Sequence, residues 1–185
     1  KLWKKYKITT SLYIFYEGKI NGRLRSLTEV RNIAEELREN WIFFGPHALN
    51  FSSPPHKFPA KSQKKHIAKI YKEIQRFTGK KYFTKQVRLH EYSESYELKN
   101  FFNYYKVTSL FSTDKIVGAH RLPVRNKNQL LKTGKTIYKK LRFVRTDLRI
   151  EMMVNNSKSK NENMISEILN RRNFITIYTH EIELK

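Results

Sequence analysis

Between His120 and Arg149 the chain reads HRLPVRNKNQLLKTGKTIYKKLRFVRTDLR, with ten Lys or Arg residues and one carboxylate, Asp147. Like charges on neighbouring strands repel, and a buried cation needs a partner that this stretch lacks. The stretch is therefore expected to project from the body of the fold, with its counter-charge on another molecule.

The rest of the chain sharpens that expectation. Residues 1–80 hold 17 Lys or Arg against 6 acids and residues 81–185 hold 21 against 10. Removing the basic stretch, ten against one, leaves the other residues beyond 80 at only +2 of the total +22. Charge gathered on one element is the footprint of a polyanion contact, whereas a merely soluble basic surface mixes its signs. Hydrophobic residues at 39%, with 14% aromatic, supply a core and flat rings on which bases stack.

Several chemistries are excluded or disfavoured. Without Cys there is no disulfide framework, thiolate zinc site or cysteine nucleophile. His47, His56, His66, His90, His120 and His180 show no metal-ligand spacing, so neither metal nor cofactor is expected. The GKT at Gly134–Thr136 has Gln129 where a phosphate-binding loop needs its first glycine. Asp147 and Glu151 are expected to share a strand face with Arg145 and Arg149, which favours salt bridging over acid–base chemistry. No catalytic residue is assigned and no enzyme is expected. SLYIFY is too short to cross a membrane. The start carries Lys1, Lys4, Lys5 and Lys7 with no acid before Glu17, as in the region after a transit peptide or a basic arm lying on a partner.

Composition shifts near Tyr82 divide the chain into an extension, 1–82, and a domain, 83–185. In the extension, Ser26 and Glu29 form a capping box ahead of Val30, Ile33, Ala34 and Leu37, which predicts a helix near 27–40. A second helix is expected near 62–77, with Ile67, Ile70, Tyr71, Ile74 and Phe77 on one face and lysines elsewhere. After the cut, KQVRLHEY reads as a strand, SESYELKNFFNYYKVTSL as a helix, DKIVGAHRLPV and RFVRTDLRIEMMV as strands, SKNENMISEILNRRN as a helix capped at Ser159, and FITIYTHEIEL as a strand. That order, β-α-β-β-α-β, is the ferredoxin-like split βαβ arrangement of an α+β fold: a four-stranded antiparallel sheet with two helices on one face. The stretch 120–149 then becomes a long basic hairpin between the second and third strands.

Arg121, Arg125, Lys127, Lys132, Lys135, Lys139, Lys140, Arg142 and Arg145 are the candidate RNA contacts on that hairpin, joined by Lys64, Lys65 and Lys72 of the extension. The segments VRLHEY, GAHRLPVRNKNQ, FVRTDLRIEMMV and HEIEL, in that order over about residues 83–185, resemble the universal small-subunit ribosomal protein S ten family. The matching positions are Leu122, Pro123, Val124 and Arg125 entering the hairpin and Arg145, Thr146, Arg149 and Ile150 leaving it. The resemblance implies a structural protein of the head of the small ribosomal subunit that binds rRNA through its hairpin beside proteins S three, S nine and S fourteen. No DNA, membrane or homo-oligomeric partner is implied. KTGKT replaces the family's Ser-Pro-His element near the tip, and the first eighty residues match nothing in the compact bacterial form. The added segment and the wealth of Lys, Asn, Ile, Phe and Tyr resemble a mitochondrial version, in the matrix, rather than a plastid or bacterial one. A transient RNA-binding or transcription-elongation factor outside the ribosome is the alternative.

Overall fold

The computed structural model describes residues 9–37, 40–113 and 121–179. In chain order these form β1 (Thr10–Phe15), β2 (Glu17–Ile20), β3 (Arg23–Ser26), β4 (Ile42–Ala48), α1 (Ala60–Thr78), β5 (Gln86–Val87), α2 (Lys99–Tyr104), β6 (Ser109–Ser112), α3 (Val124–Thr133), β7 (Lys135–Tyr138), β8 (Leu141–Arg145), β9 (Leu148–Arg149), α4 (Ile150–Val154), α5 (Lys158–Arg171) and β10 (Ile177–Tyr178). The basic start, most of the strand expected at DKIVGAHRLPV, and HEIEL lie outside the described residues.

Helices and strands both form, but their wiring differs from an antiparallel split βαβ sheet. The four-stranded sheet runs β5-β6-β8-β7. Its β5–β6 and β6–β8 pairs are parallel, and only β7–β8 is antiparallel. Parallel neighbours require crossovers, and here helices supply them: α2 joins β5 to β6, and α3 lies between β6 and the β7–β8 hairpin. β1 and β4 form a second parallel pair, and the Phe44–Phe83 bridge, with Thr84 N donating to Phe44 O at 2.9 Å, links it to the chain entering β5.

The expected long hairpin at 120–149 is replaced by a helix and a short hairpin. Pro123, whose fixed φ suits a helix start, precedes α3, and Gly134 ends it with a φ of +74°. Gly134 thus closes a helix and leads into β7, the reverse of a phosphate-binding loop. The like-charge repulsion expected in a hairpin is avoided by pairing: Lys135 lies opposite Val144, and Arg142 opposite Ile137. Leu141 and Phe143 point into the core while Arg142 stays exposed, so the strand's two-residue alternation sorts apolar groups from charge. Asn126 and Gln129 of α3 anchor the hairpin by bonds to Thr136 Oγ1 of 2.9 and 2.7 Å.

Helix α1 matches the expected second helix and organises the interior. Ile67 and Tyr71 join Val87, Leu110, Phe102, Leu130 and Phe143 in one core; Ile70, Ile74 and Phe77 join Tyr16, Leu37, Phe44 and Tyr82 in another. The residues before and after Tyr82 therefore pack on one helix. Each such fully buried side chain contributes about 1.5–3 kcal/mol.

The helix expected near 27–40 does not form over the described part of that span. The capping box of Ser26 and Glu29 is present, yet it starts only a 3-10 turn at Leu27–Glu29. Arg76 of α1 donates to Leu27 O and Val30 O at 2.7 and 2.9 Å, and Ile33 N donates to Phe77 O at 2.8 Å. Carbonyls that would propagate a helix are taken by α1, while Val30 and Ile33 still reach the core.

The strand expected to run through Val154 stops at Arg145, where Thr146 N turns to Ser112 O at 3.1 Å, and its last residues form α4. Over the described part of the last expected strand only β10 forms, and it pairs with β9 in parallel. Helix α5 is capped by Ser157, two residues before the expected Ser159.

Candidate nucleic-acid interface

The twelve sequence-selected cations divide by what holds them. Arg121 is committed internally: it pairs with Glu97 at 2.6 Å and lies over the Tyr96 ring at 5.5 Å. Arg145 is half-buried, donates to Leu131 O at 3.1 Å and stands 3.7 Å from Asp147. Both are positioned by the fold and poorly placed to meet a ligand.

The other seven of the basic stretch are not compensated by any described carboxylate. Among the described residues no carboxylate lies in ion-pair range of Arg125, Lys127, Lys132, Lys135, Lys139, Lys140 or Arg142. All are exposed except Lys127, which is half-buried. They occupy two surfaces and a tip. Arg125 and Lys132, seven residues apart, share the solvent side of α3, and Lys135 and Arg142 emerge from the outer face of the sheet. Lys139 and Lys140 form the β7–β8 turn, with φ of +47° and +62°. Lys139 also sits 4.8 Å from the Tyr96 ring centroid.

Lys64 is exposed on α1 beside a longer feature to which Lys65 and Lys72 belong and which the sequence alone did not assemble. Lys61, Lys65, Lys69, Lys72 and Arg76 follow one another at helical spacings of three or four along the exposed side of α1. At 1.5 Å per residue this ridge is about 22 Å long. Its one acid, Glu73, is buried and bound to Arg76 at 2.6 Å, which leaves the lysines without ion pairs among the described residues. His66 registers the resulting field: burial, then Lys65 and Lys69, hold its imidazole below the ordinary histidine value. The spacing of the lysines was readable in the sequence; their exposure needed the two cores that flank α1.

A second basic element was also missed. The β2–β3 hairpin turns at Asn21–Gly22, with φ of +50° and +76°, and exposes Lys19, Arg23 and Arg25 with Ile20 and Leu24. An Asn-Gly dipeptide is a direct signal of such a two-residue turn. Arg25 is bound to Glu29 at 2.7 Å, so the cations left open there are Lys19 and Arg23.

The lone acid of the basic stretch has a structural role. The Asp147 side chain is fully buried and binds Arg172 at 2.5 Å; it also accepts from Thr176 N at 3.0 Å and Thr176 Oγ1 at 3.1 Å. Arg149, expected as its partner, donates to Tyr178 at 2.5 Å. Burial and partners leave Asp147 no access to a substrate. Among the described residues no group of three His, Asp or Glu could hold a metal, and no helix is long and apolar enough to cross a membrane.

No protein-family model, curated protein sequence or solved structure matches this chain.

Proposed function

We propose that this protein binds RNA as a structural component of a ribonucleoprotein, and that the ribonucleoprotein is the small subunit of a mitochondrial ribosome. The observation that carries the RNA-binding reading is the set of exposed cations on α1, α3 and the β7–β8 hairpin that make no ion pair among the described residues. A chain of net charge +22 that leaves them unpaired repels itself, and RNA phosphates relieve that repulsion. An RNA wrapped over more than one surface suits cations spread over two faces and a turn. The ribosomal setting rests on the sequence resemblance to the S ten family alone; the sheet order β5-β6-β8-β7 adds no support to it.

Two experiments test the two levels. RNA binding by the full chain should weaken with salt, with a log–log slope of about −4 if six phosphates of a single strand are neutralised. Changing Arg125 and Arg142 to Gln should reduce that slope by about 1 or more. An unchanged slope removes those residues from the interface. For the ribosomal setting, sucrose-gradient sedimentation of the tagged protein from isolated mitochondria should place it with small subunits. A predominantly free pool would favour the transient RNA-binding factor and overturn the ribosomal assignment.

A further inference from the structure

Where the C-terminal ends of α1 and α2 meet, a cavity of about 530 Å³ opens between Gln75, Lys80, Lys81, Lys85, Lys106 and the rings of Phe83, Tyr104 and Tyr105. None of these residues is acidic, and none of the four lysines is in an ion pair among the described residues. We propose that this cavity holds a nucleotide of single-stranded RNA, with the base on Tyr104 and the flanking phosphates on the lysines. The inference rests on the RNA-binding reading for its class of ligand, but not on the ribosomal setting or on the basic stretch.

The aromatic side of the cavity is built as a platform. Tyr104 is 72% exposed, so its ring is open to a base arriving from solvent. Behind it, Tyr105 meets Tyr104 edge-on at 5.0 Å and stacks on the buried Tyr71 at 3.8 Å with an interplanar angle of 9°. Tyr105 also contacts Phe83 at 5.7 Å. The supporting rings are locked before a ligand arrives, so little side-chain freedom is lost on stacking. Burial, then Tyr104, holds the Tyr105 phenol above its ordinary value.

The charged side suits the phosphodiester backbone of such a strand. The carbonyl end of α1 would repel an anion, but two of its groups are occupied: Gly79 N donates to Gln75 O at 2.9 Å and Thr78 Oγ1 donates to Ile74 O at 2.8 Å. Lys80 and Lys81 follow immediately, and Lys85 and Lys106 come from the strand entrance and the end of α2. The Gln75 amide offers a donor and an acceptor to a base edge. In a duplex the base faces are already stacked, which leaves Tyr104 without a partner; an unpaired strand presents them. An acidic peptide would match the lysines and ignore the platform. The cavity also continues the lysine ridge of α1, so one strand can run along both.

The test uses the full chain with two probes at 0.1 M salt: a single-stranded octauridylate and a 20-base-pair RNA duplex. Tyr104→Ala should weaken octauridylate binding by about tenfold or more and change duplex binding less than twofold. Tyr104→Phe should bind like the parent, and because Tyr104 is exposed, thermal unfolding should be unchanged in both. Ultraviolet crosslinking should place uridine on Tyr104 or Tyr105. Equal octauridylate affinity for the parent and Tyr104→Ala overturns the inference, as does hexaglutamate competing as well as octauridylate. A parent that binds duplex but not octauridylate overturns this site alone; a parent that binds neither overturns the RNA-binding reading with it.

Discussion

Replacing Asp147 by Leu removes the only carboxylate that Arg172 pairs with among the described residues. Arg172 is 7% exposed as a side chain, Asp147 is fully buried, and Arg172 Nη1 already lacks a hydrogen-bond partner. Removing one member of such a pair costs about 3–5 kcal/mol, because the survivor stays buried and uncompensated. The two halves of the pair are unequal. Without Arg172, Asp147 keeps two donors on Thr176 and the Arg145 guanidinium at 3.7 Å, so Arg172→Met should cost about 2 kcal/mol. Without Asp147, Arg172 loses its carboxylate acceptor and Arg145 the counter-charge 3.7 Å away, and the cost should reach about 4 kcal/mol. The double variant, Asp147→Leu with Arg172→Met, should be no worse than Asp147→Leu alone, which gives a coupling of about 2 kcal/mol. Equilibrium urea unfolding measures this: with a slope of about 2 kcal/mol per molar, Asp147→Leu should lower the midpoint by about 2 M. Raising the salt to 1 M should barely change the loss, because a buried pair is poorly screened. A loss below about 1 kcal/mol, or strictly additive single losses, would refute the assignment of Asp147 as a structural anchor.

Three further outcomes follow from local geometry. Gly134→Ala should cost about 1–3 kcal/mol in thermal unfolding, since the site has a φ of +74° and a Cβ there would lie 2.0 Å from Arg172 Nη1, which Asp147 holds in place; Gly18→Ala, with nothing within 4 Å, is the control. Changing Lys139 to Asn and Lys140 to Gly should stabilise the fold by about 1 kcal/mol, because both positions have left-handed backbone, while weakening RNA binding in a filter assay; a destabilised variant would contradict that turn geometry. The His66 imidazole, held below its ordinary value by burial and by Lys65 and Lys69, should titrate higher when RNA phosphates lie on α1, and an NMR titration that shows no upward shift would exclude RNA from that ridge.

What could be read in advance was local. Helix α1 follows from Ile67, Ile70, Tyr71, Ile74 and Phe77 at helical spacing, and α5 from its apolar stripe with Arg171 in the last turn. The Asn21–Gly22 turn was equally readable, from a dipeptide that favours left-handed backbone. The Lys139–Lys140 turn carried no such mark, and without it the stretch from His120 to Arg149 lost its real division into α3, β7 and β8.

The failures share one cause, which is competition at long range. The Ser26 capping box was read correctly but could not impose a helix once Arg76, far along the chain, claimed its carbonyls. Strand order had no local signature either: Val87, Leu110 and Phe143 are apolar in any sheet, and the crossovers of α2 and α3 determine that their strands run parallel. The amount of positive charge and the faces of the best helices follow from composition and periodicity, which are properties of the chain alone. Which cations remain open, and that Asp147 is spent on Arg172, was decided only in three dimensions, since an ion pair depends on the distance between residues that folding brings together.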